Sequence, residues 1–462
     1  MGDPIILLWL VIAIVVALVL IIRFKMNAAI AMFIGALVLG IASGLGMATT
    51  VSTISSGFGS TMTSLGLSVG FGVMLGQLVA DVGAVQTIAN GLLKVFGEKK
   101  ADYAMGSTGF IVSIPVFYDV GYVILMPLAK ALAKDSTQKI LPHFIGGLVA
   151  GLGIAHTFIP PTPGPMTGGE LMGVPIGVTI AVGIAIGLPT FLISMFIYNK
   201  FFLGRKGFWN PETDEEHDPA LEAEAAARAK ELTRDESKLP GMFASILPIA
   251  LPIVLILITT VWDAIVGDDV NGNPLTPDFI RMIGTKEFAM MAGTIAAMVV
   301  CLMKHRMTLK QVEKSVNVAV GAAGTVLLIT GMGGGLGAVI TAVGVGDILK
   351  GILETVNMPV ILFVWLIAAL LKIAQGSGTV AMVTGLTIVA SMGDLGVSPV
   401  LIAMAGFSGS LCGAHVNDSA FWVTTKISGL TTVGGFKTYT LVCFIQSIIS
   451  LIIISVASLF FH

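Results

Sequence analysis

The organisation of this chain is decided by a polar break in the middle of an apolar run. The run covers residues 104–132, and its centre, residues 113–121, reads SIPVFYDVG. A proline and an acid at the centre of a helix in lipid are costly unless the backbone bends back or lines a cavity. We therefore predict a re-entrant hairpin at 104–132, with Tyr118 and Asp119 close to the middle of a membrane.

The composition of the whole chain indicates a membrane protein. Hydrophobic residues make up 55% of its 462 residues and charged residues 11%, whereas a soluble domain is roughly half apolar and a quarter charged. Apolar runs of about 20 residues, the length that crosses a bilayer core, recur along the chain. The predicted fold class is therefore an all-α polytopic membrane protein. The net charge of −2 gives no basic face for nucleic acid, so the lipid bilayer is the expected partner.

A charged segment divides the chain into two similar halves. Arg205 to Lys238 holds six Lys or Arg and ten Asp or Glu, so we predict a loop at 204–240 between transmembrane repeats at 1–203 and 241–462. A second polar-centred run, 358–393, reads KIAQGSGTV over residues 372–380 and predicts a second re-entrant hairpin. The halves align at offsets of 259 to 261. The other apolar runs predict spans near 5–22, 28–46, 66–93, 143–160 and 173–199, and near 243–262, 287–303, 316–343, 399–425 and 438–461.

The distribution of Lys and Arg predicts the orientation. With both termini outside, 21 of the 25 basic residues lie on the cytoplasmic side with the charged loop, Lys372 lies in the membrane, and Arg281, Lys286 and Lys350 lie outside. Five spans per half then make the second repeat inverted relative to the first. Inverted repeats with broken helices that meet at mid-membrane are a recurrent design of secondary transporters. The loop itself is expected to be dispensable for the transport step.

Four polar segments are predicted to converge at mid-membrane. They are PVFYD at 115–119, HTFIPPTPGP at 156–165, the segment around 372–379, and AHVNDS at 414–419. Each joins helix-breaking residues to hydrogen-bonding side chains, which suits a polyhydroxy acid; four prolines in six residues should prevent a regular helix in the second. The predicted substrate-binding residues are Ser377, Thr379, Gln375, His415, Asn417, Ser419, Thr157, Thr162, Tyr118 and Lys372.

Each of these segments also has a purely structural interpretation. Residues 415–418 could cap a broken helix, and the proline-rich segment could be a structural break. Tyr118 and Asp119 could anchor a shallow hairpin at the interface. Lys372 could pair with an acid instead of meeting a substrate carboxylate.

A proton-coupling group must change charge within the pH range of a membrane gradient, which requires a histidine or a buried acid. Asp418, Asp119, His415 and His156 meet this requirement. Asp418 is the first choice, because it adjoins the proposed ligand groups, where burial and an approaching anion both favour its protonation. Asp119 is the second choice, and the histidines could instead order the broken helices.

Three motifs resemble those of the gluconate permease family of proton symporters. They are AHTFIPPTPGP at 155–165, IAQGSGTVA at 373–381 and GAHVNDS at 413–419, and the likeness extends over essentially the whole chain. The resemblance implies the fold of the ion transporter superfamily, with inverted repeats and two re-entrant hairpins. It also implies proton-driven uptake, across a bacterial cytoplasmic (inner) membrane, of gluconate, another aldonate, glycerate or D-serine.

Two other functions agree with parts of the sequence. A sodium-coupled carboxylate symporter would need backbone carbonyl oxygens and Asn or Ser side-chain oxygens around a cation at the hairpin tips. The sequence supplies both the carbonyl oxygens and these side chains. An intramembrane hydrolase could use Ser377 or Ser419 with His415, but no Gly-x-Ser-x-Gly or His-Glu-x-x-His motif is present. We therefore expect a transporter and no enzyme, powered by the proton gradient, without a cofactor or a metal. The oligomeric state is left open, with a homodimer among the options.

Overall fold

The computed structural model describes residues 5–136, 139–216, 239–267, 275–416 and 418–461. Within these ranges the chain forms helices and turns, with one isolated β-bridge between Glu215 and Leu430. Six of the helices described are long and apolar enough to cross a membrane, and a pair bent by 63° provides a seventh. The predicted all-α polytopic fold class is confirmed.

The first half contains ten helices in the described ranges. The ninth continues into a π-helical turn, Tyr198–Leu203. The helices are α1 Ile5–Ile22, α2 Ala28–Ala42, α3 Met47–Asp81, α4 Ala84–Phe96, α5 Ala101–Val112, α6 Tyr118–Asp135, α7 Leu141–Phe158, α8 Pro163–Leu171, α9 Ile176–Ile197 and α10 Pro211–Asp214.

The second half contains eleven helices in the described ranges. A π-helical turn, Phe436–Thr440, leads into the last of them. The helices are α11 Met242–Val266, α12 Asp278–Gly284, α13 Lys286–Leu302, α14 Leu309–Ala342, α15 Val345–Val356, α16 Val360–Gln375, α17 Gly378–Ala390, α18 Pro399–Gly409, α19 Ser419–Ser428, α20 Thr432–Gly435 and α21 Leu441–Ala457.

The order of elements in the first half recurs in the second. The long helices α3 and α14 have 35 and 34 residues, and each is followed by a glycine in the left-handed region, Gly83 with φ of 84° and Gly344 with φ of 75°. A side chain is strained in that region, so glycine is favoured at both turns. A short amphipathic helix follows, then two broken pairs: α5–α6 and α7–α8, or α16–α17 and α18–α19. The inversion of the second copy and the return of the hairpins to their own sides remain predictions.

Several predicted helix boundaries were wrong. The run at 66–93 forms parts of two helices, because the turn at Gly83 separates α3 from α4. In addition, α3 begins at Met47, well before the apolar run. Its first turns are rich in Ser and Thr, which hid them in a hydrophobicity pattern. The run at 399–425 is also two helices, since residues 410–418 are not helical. That break places one of the four polar segments at a helix start.

The proline-rich segment is more helical than predicted. Only residues 159–162 are non-helical, and α8 restarts at Pro163. Pro163 and Pro165 occupy the first turn of α8, where an amide hydrogen has no partner within the helix, so its loss costs little. The Thr162 hydroxyl closes the break by donating to the carbonyl oxygens of His156 at 2.9 Å and Ile159 at 2.8 Å.

The predicted loop at 204–240 is partly packed against the second half. Residues 217–238, including most of its charges, lie outside the described residues. Before them, the Glu216 amide donates to the carbonyl oxygen of Gly429 at 2.8 Å, and the buried Asp214 contacts Lys437. The start of the loop is therefore an integral part of the bundle.

Candidate functional site

The breaks of the four broken pairs meet at one cavity of about 210 Å³. A buried water needs only about 10–15 Å³, so this cavity has room for a small polar ligand. The first half contributes the starts of α6 and α8 and the last turns of α7. The second half contributes α16, the starts of α17 and α19, the break at 410–418, and the helix that follows the second π-helical turn. The cavity therefore lies between the two halves.

A buried ion pair crosses the second-half side of the cavity. Lys372 Nζ lies 2.5 Å from Asp418 Oδ2, and the two residues are 3% and 6% exposed. The Tyr439 hydroxyl donates to the same carboxylate oxygen at 2.7 Å. Asp418 Oδ1 accepts from the Ala420 amide at 3.0 Å, so the carboxylate also caps α19. Two charges are tolerated at this depth because they neutralise each other and each accepts or donates further hydrogen bonds.

The ammonium group holds the neighbouring helix break as well. Lys372 Nζ donates to the carbonyl oxygen of Gly376 at 2.5 Å, and Gly376 ends α16 in the left-handed region with φ of 85°. Lysine has three N–H donors, and two of them go to Gly376 and Asp418. In this conformation Lys372 therefore pairs with an acid, Asp418, which is the structural interpretation given for it above.

Four helix N-termini lie at the cavity wall. The first turns of α6, α8, α17 and α19 all contribute residues to the cavity wall. A helix N-terminus carries unpaired N–H groups and a partial positive charge, which attract anions. The helix dipoles therefore add charge that is favourable for a small anion, at a cavity where Lys372 is paired with Asp418.

Three side-chain hydroxyls in the wall are available to a ligand. Thr157, Thr379 and Ser419 line the cavity, and within the described ranges their hydroxyls make no hydrogen bond. Ser377 also lines it, and its Oγ accepts from the Val380 amide at 3.4 Å as the cap of α17. A hydroxyl both donates and accepts, so this wall can pair with the hydroxyls of a polyhydroxy ligand.

The aromatic side of the cavity joins the two halves. The hydroxyls of Tyr118 and Thr424 lie 2.7 Å apart, and those of Tyr122 and Ser428 2.6 Å apart. Both pairs have the same separation along the chain, so α6 and α19 run parallel side by side. The Tyr118 ring lines the cavity, while its hydroxyl serves this helix contact.

The proton candidates divide into those at the cavity and one away from it. Asp418, Asp119 and His156 line it. His156 Nδ1 is buried without a hydrogen-bond partner among the described residues, and its ring centroid lies 5.9 Å from that of Phe117. His415 is off the cavity wall, because its Nε2 bonds to the carbonyl oxygen of Ile373 at 3.1 Å.

Three other predicted substrate residues are not placed at the cavity. Thr162 lies in the break after α7, where its hydroxyl is occupied by two carbonyl oxygens. Asn417 and the side chain of Gln375 lie outside the described residues.

The hydrolase alternative lacks its essential contact. A serine nucleophile needs a base within hydrogen-bond reach, and His415 bonds to a backbone carbonyl, whereas neither Ser377 nor Ser419 bonds to it among the described residues. The described part of the chain also contains no cluster of three or more His, Cys, Asp or Glu that could hold a metal ion.

Tyr439 was missed by the sequence interpretation. It lies in the π-helical turn before α21, in the polar triplet Thr438–Thr440 at the start of the run predicted at 438–461. A tyrosine flanked by threonines beside an otherwise apolar run was the available signal. Its partner Asp418, 21 residues earlier, becomes evident only from the folded chain.

Comparisons with known proteins agree with a transporter. The sequence model of the GntP family permeases matches residues 5–460. A gluconate permease of Pseudomonas aeruginosa is 31% identical over 459 residues, 99% of this chain and 98% of the relative. A gluconate permease of Bacillus subtilis is 32% identical over 450 residues, 96% of this chain and 97% of the relative.

A solved structure shares the fold. Neisseria gonorrhoeae MtrF, of a class of antimetabolite efflux pumps, superposes with a TM-score of 0.64 at 15% identity, covering 87% of this chain and 84% of the other. The match of the family model over nearly the full length, together with these relatives, establishes that this chain is a transporter and not an enzyme, and that it belongs to the GntP family of permeases.

Proposed function

We propose that this chain imports gluconate or a related sugar acid together with a proton across the bacterial inner membrane. One observation carries the proposal: Lys372 and the N-termini of four broken helices face a single cavity between the two halves. Positive charge from a lysine and from helix dipoles at mid-depth suits one carboxylate. The positive-inside distribution of Lys and Arg supports termini outside and the charged loop in the cytoplasm.

The substrate class follows from the two kinds of groups in the wall. The carboxylate would lie at Lys372 and at the first turns of α17 and α19. The chain of hydroxyls would extend toward Thr157, Thr379 and Ser419. Two similar permeases are named for gluconate, which makes a six-carbon aldonate the first candidate, ahead of glycerate and D-serine.

The ion pair suggests how the anion and the proton are coupled. An arriving carboxylate would compete with Asp418 for Lys372, because one ammonium cannot neutralise two buried carboxylates. Asp418, displaced from its cation, would take up a proton, and the site would stay neutral overall. Anion binding and proton binding then strengthen each other by the same factor. Asp119 is the second candidate for the proton, since it lines the same cavity.

The test uses purified protein in liposomes with labelled gluconate. A pH gradient that is alkaline inside, imposed without sodium, should drive gluconate accumulation, and the label should be recovered chemically unchanged. A sodium gradient at equal pH should have no effect. Accumulation that follows the sodium gradient instead would replace proton coupling by sodium coupling. Unlabelled aldonates, glycerate and D-serine, added as competitors, would rank the substrates.

A further inference from the structure

The first residues of the predicted loop at 204–240 place a buried carboxylate, that of Asp214, against the second half. The Asp214 side chain is completely buried, and Lys437 Nζ contacts its two carboxylate oxygens at 2.9 and 2.7 Å. The Asn210 amide donates to Asp214 Oδ2 at 2.9 Å, and the Thr431 amide donates to the Asp214 carbonyl oxygen at 3.0 Å. A buried carboxylate is tolerated because of these partners, so the segment and the bundle are held together at this point.

Backbone packing makes this contact close. The backbone of α20 approaches that of Asp214, and a Cβ added at Gly434 would overlap the Asp214 carbonyl group. Lys437 Nζ also lies 5.6 Å from the centre of the Phe208 ring, which belongs to the same segment before the described residues end. Residues 205–216 therefore contact Lys437 through the Asp214 carboxylate and the Phe208 ring, and the backbone of Asp214 packs against α20.

Lys437 lies in the π-helical turn Phe436–Thr440, and so does Tyr439. The two residues are two positions apart, and their side chains leave the turn in different directions. Lys437 reaches Asp214, while the Tyr439 hydroxyl donates to Asp418 at 2.7 Å. π-Helical turns are rare, and they often occur at functional sites. The orientation of Tyr439 thus depends on a turn whose other side is fixed by Asp214.

We propose that Asp214 is a positioning residue for the proton site: it fixes, through Lys437, the π-helical turn that aims Tyr439 at the Asp418 carboxylate. The start of the loop at 204–240 thereby influences the proton site although it does not line the cavity. This inference rests on the proposed function, in which Asp418 accepts the proton. The other charged or titratable side chains that face the cavity around Asp418 in the described residues are Lys372 from α16, Tyr118 and Asp119 from α6, His156 from α7 and Cys443 from α21.

The experiment measures gluconate binding to the purified full-length protein as a function of pH. Tyr439→Phe removes a hydrogen bond to the ionised Asp418, so protonation becomes easier and the midpoint of the pH profile should move about one unit toward alkaline pH. Asp214→Asn should move the midpoint in the same direction. In a Tyr439→Phe background it should add no further shift, because it acts through that hydroxyl.

Three further variants separate positioning from damage to the fold. Asp214→Asn with Lys437→Gln leaves no unpaired buried charge, and should fold and show the same shift as Asp214→Asn. Lys437→Arg keeps the positive charge opposite Asp214, so this single variant should retain the wild-type pH profile. Glu216→Gln is the matched control, because it breaks a neighbouring ion pair with Lys426, at 2.9 Å and more exposed, that lies outside the turn; its profile should equal that of the wild type.

The outcomes distinguish this inference from the proposed function. An unshifted profile in both Asp214 variants, when Tyr439→Phe shifts it, would overturn the positioning role alone. An equal shift by Asp214→Asn with and without the Tyr439 hydroxyl would also overturn it, because the effect would then be independent of that residue. If Asp418→Asn leaves the pH dependence intact, the proposed proton site is wrong and this inference is wrong with it.

Discussion

Replacement of Asp418 by asparagine separates substrate binding from proton coupling. The asparagine amide oxygen can still accept from the Ala420 amide, so the cap of α19 is kept, because Asn and Asp are equally good caps. The negative charge beside Lys372 is lost. In the proposed mechanism, a carboxylate that enters the wild-type cavity at neutral pH would have to displace Asp418 from the ammonium. In the variant there is no competitor, so Lys372 is free for the substrate.

The size of the effect follows from the contact that is removed. A hydrogen bond between charged groups contributes about 1.5–3 kcal/mol, and each 1.4 kcal/mol is a factor of ten in affinity. Gluconate should therefore bind the Asp418→Asn variant roughly tenfold to a hundredfold more tightly than the wild type at neutral pH. At acid pH the wild-type affinity should approach that of the variant, whose own affinity should not depend on pH in this range.

The fold should also respond to the missing carboxylate. Removing one partner of a buried ion pair destabilises a protein by about 3–5 kcal/mol, because the other charge is left unpaired. Gluconate supplies a replacement carboxylate, so it should raise the thermal stability of Asp418→Asn more than that of the wild type. Binding is measured by equilibrium titration across pH, and stability by thermal unfolding with and without gluconate.

Transport is the decisive assay for this variant. In liposomes, Asp418→Asn should exchange labelled gluconate but should not accumulate it in response to a pH gradient. Asp119→Asn, at the same cavity, is the matched comparison and should retain accumulation. The reasoning is refuted if Asp418→Asn still concentrates gluconate in a pH gradient, or if Asp119→Asn is the variant that loses the response.

Four further outcomes are expected. Gly378→Ala would place a methyl group 3.8 Å from Lys372 Nζ without a clash, so titration should show weaker gluconate binding at unchanged thermal stability. Thr162→Val removes the hydroxyl hydrogen that two carbonyl oxygens share, and should lower stability by about 1–3 kcal/mol in thermal unfolding. The dispensable part of the loop is narrowed to residues 217–238, because Asp214 packs against the bundle, and replacing 217–238 by a Gly/Ser linker of equal length should leave pH-driven uptake unchanged. An imposed membrane potential at equal pH should drive no accumulation, because one displaced carboxylate takes up one proton for each monovalent anion.

The four polar segments could be found from the sequence because each is costly in lipid. A proline, an acid or a lysine in an apolar run leaves few options other than a cavity, and the structure brings residues of all four to one. Lys372 and Asp418 were both chosen on this argument. Their mutual contact could not be predicted, since a substrate carboxylate and Asp418 are equivalent partners for an ammonium group until the backbone is known.

The predictions that failed depended on local backbone geometry. The start of α3 at Met47 was missed because its first turns are rich in Ser and Thr, most of which are exposed, so no apolar run marks this part of the helix. Thr162 has the composition of a ligand residue, but the carbonyl oxygens freed by the break before α8 take its hydroxyl. Tyr439 lies in a π-helical turn whose Lys437 contacts Asp214, more than 200 residues away, and no local pattern encodes this contact.

The two halves differ at the Lys372–Asp418 ion pair, whose two residues both belong to the second half, so the proposed coupling uses one half only. At an offset of 260 residues, Lys372 corresponds to Val112, which is completely buried. Asp418 is the N-cap of α19, and the N-cap of the equivalent helix α8 is Thr162, whose hydroxyl contacts backbone carbonyl oxygens. The first half therefore has no second lysine that a carboxylate could occupy at the equivalent place. It contributes Asp119 and His156 to the wall instead. In the proposed mechanism, one ammonium takes one anion and one displaced carboxylate takes one proton. The site would then return to neutrality after each binding event, which is the condition under which two buried charges are least costly.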